Sequence, residues 1–353
     1  MNEGPPANAR RRPATLHDVA RAAGVSYATA SRALNGSDRT VRAENVARVH
    51  AAAAQLGYSP HLSAQAIARG STSTAALVVS DVDDPYFSSI AAGVTEAAEA
   101  AGLIVTMAIA DRSPDLELQI VRSLRGQRPR AIVIAGSRIA GTETRAELID
   151  ELTAYRTAGG RVALISQHDL PFDTLCIDNH GGARRLALAL AEQGHRTFAV
   201  IHGSDSIRTS HDRRAGFLDG LRQAGLTVDP RYSIEVPFTR DGGAAGARAL
   251  LARGVEEVDV AFAVNDTMAI GAMTVFRDAG LTPGADIGVA GFDDIGSAVD
   301  VVPALTTVRI PLRELGQAAM RVALADDAAG IVQIPTEVVL RDSTPLRPRP
   351  GRS

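Results

Sequence analysis

Two short helical patterns meet at Ala22-Ala23-Gly24, and that junction constrains the N-terminal part of the chain more than any other stretch. Thr15 is placed to cap a first helix in which Leu16, Val19 and Ala20 face inward at i, i+3, i+4 spacing. The two alanines let a pair of helices cross at close range, and Gly24 is free to adopt the positive φ that ends the first helix. Val25 re-enters the core and Ser26 caps the second helix. At about 100° per residue, Tyr27, Ala28, Ser31, Arg32 and Asn35 share an arc of roughly 140°. Thr29, Ala30, Ala33 and Leu34 take the other side. The outward arc holds a ring, a hydroxyl, an amide and a guanidinium, and no carboxylate. Such a stripe suits base edges in a major groove: Arg32 can pair with guanine O6 and N7, and Tyr27 or Ala28 can touch thymine methyls. Thr15, Ser26, Ser31, Asn35 and Arg42 are expected to support that contact at phosphates. The alternative is a small amphipathic three-helix module that binds protein.

A third helix is expected over residues 44–56, with Val46, Val49, Ala53 and Leu56 apolar and Arg42 and Arg48 left for phosphates. In the segment 58–70, Ser59 and Pro60 form a helix start and Gly70 a stop. The stretch between is about two turns, too short to be helical alone. It reads as a hinge that folds when two copies pack in a minor groove, with Ile67 as the apolar wedge beside Ala64 and Ala68. An ordinary linker helix is the alternative. Charge divides the chain at the same place. Residues 1–70 hold nine Arg against four acids, a net of +5, while the whole chain is −3, which leaves −8 for residues 71–353. A basic head on an acidic body is what DNA contact by the head alone requires.

From Thr74 the pattern changes to short apolar runs alternating with amphipathic helical stretches. Strands are expected near 75–82, 103–110, 131–136, 161–166, 174–177, 197–202, 232–236, 258–264 and 287–291. Helices are expected near 86–101, 115–125, 144–158, 180–193, 210–224, 242–253, 266–279 and 311–325. Most of the runs are apolar on both faces, as strands inside a parallel sheet must be. This predicts a doubly wound α/β body, large enough for two sheet lobes. Polar residues gather just after strands: Asp81, Asp84, Tyr86, Phe87, Arg138, His168, Asp178, Asn265, Asp266, Asp293 and Asp294. That edge is where open α/β sheets bind ligands. With Tyr86, Phe87 and Phe238 available to stack, the set suits a small hydroxylated molecule such as a sugar or nucleoside. Asn265 as a helix cap and Asp293-Asp294 as turn residues are the plainer readings of those positions.

The remaining sequence narrows the classes. A lone cysteine, Cys176, excludes intramolecular disulfides and cysteine-based zinc sites, and the eight His are scattered singly, so neither metal nor cofactor is expected. Met1–Pro13 is polar and Arg-rich without an apolar core, and no run is long enough to span a bilayer; a cytoplasmic setting with no membrane contact follows. That also disfavours a transport solute-binding protein. No phosphate loop or catalytic elbow occurs, and the stretch 242–246 lacks the spacing of a dinucleotide loop and reads as a helix start, so no enzyme is expected. Disorder is expected at residues 1–13 and 345–353, which are rich in Pro and Arg. The organisation read from sequence is an arm (1–13), a helix-turn-helix head (14–58), a hinge and linker (59–72), a two-lobed body (73–344) and a tail (345–353).

The order of these motifs resembles the lactose/galactose-repressor family of bacterial transcription regulators over about residues 14–344. The matching stretches include 15–35, Leu56-Gly57-Tyr58-Ser59-Pro60, Asp84-Pro85-Tyr86-Phe87, Gly194-His195-Arg196, the stretches 213–217 and 265–272, and Gly291-Phe292-Asp293-Asp294. The resemblance implies a homodimer on a pseudo-palindromic double-stranded operator. It also implies a body like the periplasmic sugar-binding proteins, with three crossovers and a ligand in the cleft. Base reading then falls to Tyr27, Ala28 and Arg32, and the minor-groove lever to Ile67, where family members usually carry Leu. For the effector it implies ring stacking by Tyr86 and Phe87, an opposite wall at Phe238, and hydrogen bonds from Arg213 and Asn265. Asp293 accepts sugar hydroxyls, and Asp84 stands where many members have Asn; Arg138, from the strand-end reading, completes the expected effector set. A neutral sugar is favoured over a purine, which needs fewer acids. A nucleoside-type co-repressor or a controlling partner protein are the alternatives. After the last helix there are no leucine heptads to support a tetramer.

Overall fold

The computed structural model describes residues 14–35, 41–58, 72–139 and 144–347. The chain divides into two compact units, Met1–Thr72 and Ser73–Ser353. The expected arm, the hinge residues Ala64, Ile67 and Ala68, and residues 348–353 of the expected tail lie outside the described residues.

The head is three helices: α1 (Leu16–Ala22), α2 (Tyr27–Asn35) and α3 (Ala43–Leu56). Thr15 starts α1 through a reciprocal cap with Asp18, its backbone N–H donating to Asp18 Oδ2 at 2.9 Å while its hydroxyl accepts from Asp18 N–H. Gly24 takes φ +65°, and Ser26 Oγ accepts the Thr29 N–H at 3.1 Å to open α2. Val19, Ala20, Ala23, Ala30, Val49, Ala52 and Ala53 close a small core, with Leu16, Val25, Ala33, Leu34 and Tyr58 packed around it. Leu56, expected inside, is 40% exposed at the end of α3.

In chain order the body begins β1 (Thr74–Val79), α4 (Pro85–Ala100), β2 (Ile104–Ile109), α5 (Pro114–Gln127), β3 (Ala131–Ala135), α6 (Thr144–Thr157), β4 (Arg161–Ile165) and β5 (Asp173–Ile177). A second half follows as α7 (Asn179–Glu192), β6 (Phe198–His202), α8 (Arg208–Gln223), β7 (Ser233–Glu235), α9 (Arg240–Arg253), β8 (Val260–Ala263), α10 (Asp266–Asp278) and β9 (Gly288–Ala290). The chain ends through α11 (Ser297–Asp300), β10 (Thr307–Arg309), α12 (Leu312–Leu324), β11 (Ile331–Ile334) and β12 (Glu337–Val339). One sheet is ordered β11-β5-β4-β3-β1-β2 and the other β7-β6-β8-β9, and every pair within them is parallel. Strands β3, β6, β8 and β9 are buried along their whole length, as their two-faced apolar sequences require.

The chain passes between the lobes three times, near Asp178, near Ile310 and near Thr336. Three crossovers are what the family resemblance implies, but the strands around the third were not among the expected elements: β11 returns to the first sheet beside β5, and β12 pairs antiparallel with β10. Two other expectations need correction. Strand β2 is an edge, leaving Ile104, Met107 and Ile109 exposed where an interior strand was expected. The expected tail is ordered at its start: the Arg347 N–H donates to Gln193 O at 2.9 Å and its guanidinium pairs with Asp259, just after Ser343 and Thr344, the fully buried end of the expected body. Composition alone misses such anchoring because it rests on backbone bonds and one ion pair. The glycine-rich stretch opens α9 under a Thr239 cap, and Gly243 serves packing: a Cβ there would lie 2.1 Å from Met268 O on α10.

Candidate functional site

The strand order reverses at β1/β3 in the first sheet and at β6/β8 in the second, and the carboxyl ends of these strands face one cleft. A cavity fills it, about 680 Å³ with its open solvent mouth included. Asp84, Tyr86, Phe87, Arg213, Phe238, Asn265 and Asp293 all line this cavity, so the structure brings together every expected effector residue but one. The exception is Arg138. Its guanidinium grips Glu117 bidentately at 2.7 and 3.0 Å and donates to Ser166 at 3.2 Å, which turns it into a neighbouring chamber. Glu117 stands on α5, the helix that precedes β3, and satisfies the charge of Arg138 behind the cleft wall; spacing along the chain does not show this.

Arg213 on α8 anchors the floor. Its Nε donates to Asn179 Oδ1 at 2.8 Å, Nη1 to Val264 O at 2.9 Å and Nη2 to Asp293 Oδ1 at 2.7 Å, while the guanidinium lies 4.0 Å over the Phe292 ring. Both partners of the ion pair are almost fully buried. Three of five guanidinium N–H groups are thus committed, which holds the plane and leaves donors for a ligand. Burial pushes the Asp293 carboxyl well above the usual carboxylate range, against the pull of Arg213. Burial also raises Asp84, although its Oδ1 accepts from Tyr86 N–H at 3.0 Å and the Thr267 hydroxyl at 3.2 Å. The Tyr86 hydroxyl is pushed upward by burial and by the nearby Asp293. Tyr86 and Phe87 stand edge to face with centroids 4.9 Å apart. Asn265 caps α10 through Oδ1, which accepts the Met268 N–H at 2.9 Å, and its NH2 end can donate to a ligand. Cap and ligand contact are compatible roles for this residue.

Of the other post-strand polar residues, Asp178 caps α7, Asp81 pairs with Arg112 at 2.7 Å, and Asp294 bridges Arg309 and Arg341. Asp266 is fully buried, accepts from the Thr307 hydroxyl at 2.5 Å and the Ile295 N–H at 3.0 Å, and is raised by burial to about 7. His168 does not line the cleft. Sequence reasoning missed Ser80, Arg112, Ser137, Gln167, Asn179 and Thr209, which also line the cavity. Ser80, Ser137 and Gln167 follow β1, β3 and β4 within two residues, so the strand-end rule applied to uncharged residues would have found them.

Lobe-to-lobe bonds close one side of the cleft. The Thr209 N–H donates to Ser137 Oγ at 3.0 Å, Gln167 Nε2 donates to Thr209 Oγ1 at 2.9 Å, and the Arg208 N–H donates to Arg138 O at 3.1 Å. The Asp84–Thr267 bond ties the lobes again. Hydroxyl acceptors, aromatic faces and a fixed guanidinium inside a closed cleft can bind a polyol, with C–H faces on the rings and hydroxyls on the carboxylates.

On the head, Tyr27, Ala28 and Arg32 are exposed along one side of α2 while Ala30 is buried on the other. The Tyr27 ring rests on His17, with centroids 4.5 Å apart. Arg42 is exposed at the start of α3, and Arg48, one turn and a half on, bonds Asn45 at 2.6 Å. Among the described residues no cluster of side chains suited to hold a metal is present, and no helix is long and apolar enough to cross a membrane.

Two family models match the chain. Residues 15–61 match the bacterial regulatory proteins of the lacI family, and residues 72–336 match the periplasmic binding proteins and sugar-binding domain of the LacI family. The chain is 33% identical to the transcriptional regulator GalR of Escherichia coli, over 88% of this chain and 89% of that one. It is 31% identical to the transcriptional regulator CelR of Thermobifida fusca, over 96% and 98%. Among solved structures it resembles a lac repressor dimer bound to operator and the anti-inducer ONPF, with TM-score 0.77 and 27% identity over 95% of this chain and all of that one. A CelR–cellobiose complex matches with TM-score 0.67 and 29% identity over 94% and 99%. The head with its outward Tyr27, Ala28 and Arg32, the two-lobed cleft and these matches agree: the chain belongs to the LacI family of DNA-binding bacterial transcription regulators.

Proposed function

We propose that the protein is a repressor that binds a pseudo-palindromic operator as a homodimer and releases it when a neutral sugar enters the cleft. The head reads bases with Arg32, Tyr27 and Ala28. Arg32 supplies the bidentate guanine contact, and Ala28 contributes shape and methyl contact without a hydrogen bond. In the body, Tyr86, Phe87 and Phe238 take the apolar faces of the sugar, and Asp84 and Asp293 accept its hydroxyls. The observation that carries this reading is the buried Arg213–Asp293 pair facing the cavity, with a second carboxylate, Asp84, beside it. Two acids face two guanidiniums, and both guanidiniums are already paired, Arg213 with Asp293 and Arg112 with Asp81, which favours a neutral polyol over an anion. The sugar-bound CelR and operator-bound lac repressor structures support the two halves of the reading.

An effector changes operator affinity only as far as it binds the two cleft states unequally. We expect one neutral sugar to weaken binding to a selected operator by about 5–150-fold at fixed salt, read by fluorescence anisotropy. Unchanged affinity across all sugars would overturn ligand control by the cleft. Equal affinity for random duplex would overturn the DNA-reading assignment.

A further inference from the structure

A second pocket, about 530 Å³ with its open solvent mouth included, abuts the first, and Ser80, Arg112, Ser137 and Ile139 belong to both walls. The turn that forms this partition is strained: Asp111 and Arg112 are consecutive non-glycine residues at φ +46° and +52°. Backbone of this kind persists where the surroundings over-determine it, often beside a ligand. The Arg112 N–H donates to Ser80 O at 3.2 Å, its guanidinium pairs with Asp81, and it lies 5.6 Å from the Phe238 centroid. Arg112 thus stands on the boundary between the two spaces and touches an aromatic wall of the first.

The second chamber has an apolar floor of Ala110, Leu148 and Leu170, all buried, and a polar rim of Ser113, Arg145 and the Arg138–Glu117 pair. Two of its three guanidiniums are already matched by carboxylates, so its field does not call for a phosphate. Ser113 Oγ accepts the Leu116 N–H at 3.3 Å, which leaves its O–H to donate. One apolar face with donors and acceptors around its edge is the complement of a pyranose ring, the same chemistry that the first chamber offers.

We propose that this chamber is a second sugar subsite, that Arg112 contacts both rings, and that the effector is a neutral saccharide of at least two rings. The proposal rests on the sugar reading of the cleft and fixes the size of its ligand. It also gives Arg138 a place: beside the second ring, where the sequence had expected it beside the first.

The test is calorimetric titration of the full chain with glucose, galactose, cellobiose, maltose, lactose and melibiose. One disaccharide should bind at least about tenfold more tightly than either of its monosaccharides, the effect of one added charged hydrogen bond or more. Ala110→Leu, which fills the floor, should bring that disaccharide down to monosaccharide affinity while the monosaccharide stays within about twofold. Arg145→Ala, on the exposed rim, should act in the same direction without touching the core, and decides the matter if Ala110→Leu fails to fold. A monosaccharide as tight as any disaccharide overturns the subsite and leaves the sugar reading standing, as does an unchanged disaccharide affinity in the folded variants. Absence of binding by all six sugars overturns both.

Discussion

The side chains proposed to read DNA in the head and to hold the effector in the body lie in opposite environments. In the head, Tyr27, Ala28 and Arg32 stand outside a core made of little more than alanine and valine, and none of them holds that core together. In the body, Arg213, Asn265 and Asp293 are at most 3% exposed and form part of the packing. DNA presents its base edges to a surface, so a reading face stays solvated until it docks. A small ligand must be surrounded, so the groups that hold it are desolvated in advance and need partners of their own. Separation of recognition from folding should therefore be nearly complete in the head and absent in the cleft.

The sharpest way to break this contrast is Arg213→Ala. It leaves Asp293 buried without its cation and removes the donors to Asn179 and Val264. Removing one member of a buried pair costs about 3–5 kcal/mol, so calorimetry should show the body melting well below the wild type. Normal melting with lost sugar binding would mean that the pair is functional only. The counterpart is Arg32→Ala, expected to cost about 1–3 kcal/mol in operator binding and to relax one base pair of specificity. Its stability should stay within about 0.5 kcal/mol of wild type.

A buried acid sharpens the same contrast through pH. Asp266 is raised by burial from 3.8 to about 7, so the folded body holds this proton more tightly than the unfolded chain does. Its contribution to stability is present in full below 3.8 and is lost as pH rises through about 7, with a slope of at most about 1.4 kcal/mol per pH unit. His195 and His202, lowered by burial, act in the opposite sense near neutrality. The quantity to measure is therefore the difference between wild type and Asp266→Asn in denaturant titrations between pH 5 and 8. We expect the variant to lose less stability than wild type as pH rises across that range.

The division into a basic three-helix head and a doubly wound body was legible because it rests on local rules: period, caps and strand-end polarity. Thr15, Gly24 and Ser26 act through neighbours within three residues, and the sequence names them directly. The cleft residues Asp84, Asn265 and Asp293 were legible for a related reason, since each follows a strand. What stayed hidden depends on distant partners. Arg138 is turned away from the cleft by Glu117 on α5, and Arg213 is held in it by Asn179, Val264 and Asp293. The return of β11 to the first sheet joins residues about 157 apart, as at Gly330 and Asp173, with no local signal to announce it. Ser80 and Thr209 are ordinary hydroxyls until two lobes face each other.

Thr15 gives the smallest effect and the finest test of the contrast, because sequence assigned it both a cap and a phosphate-supporting role, and the structure bears out the cap. Its hydroxyl accepts the Asp18 N–H at 3.4 Å and donates to Asp18 Oδ2 at 2.7 Å, closing the first turn of α1. Losing such a cap costs about 1 kcal/mol, and Thr15→Ser should restore most of it. If folding is the whole role, Thr15→Ala lowers the melting of the head and weakens operator only through the unfolded fraction, leaving the salt dependence of binding unchanged. If the hydroxyl also serves a phosphate, affinity falls in Thr15→Ala under conditions where the head is fully folded. Measuring operator affinity well below the melting point separates the two, and a deficit there would make Thr15 the one residue of the head in which packing and recognition coincide.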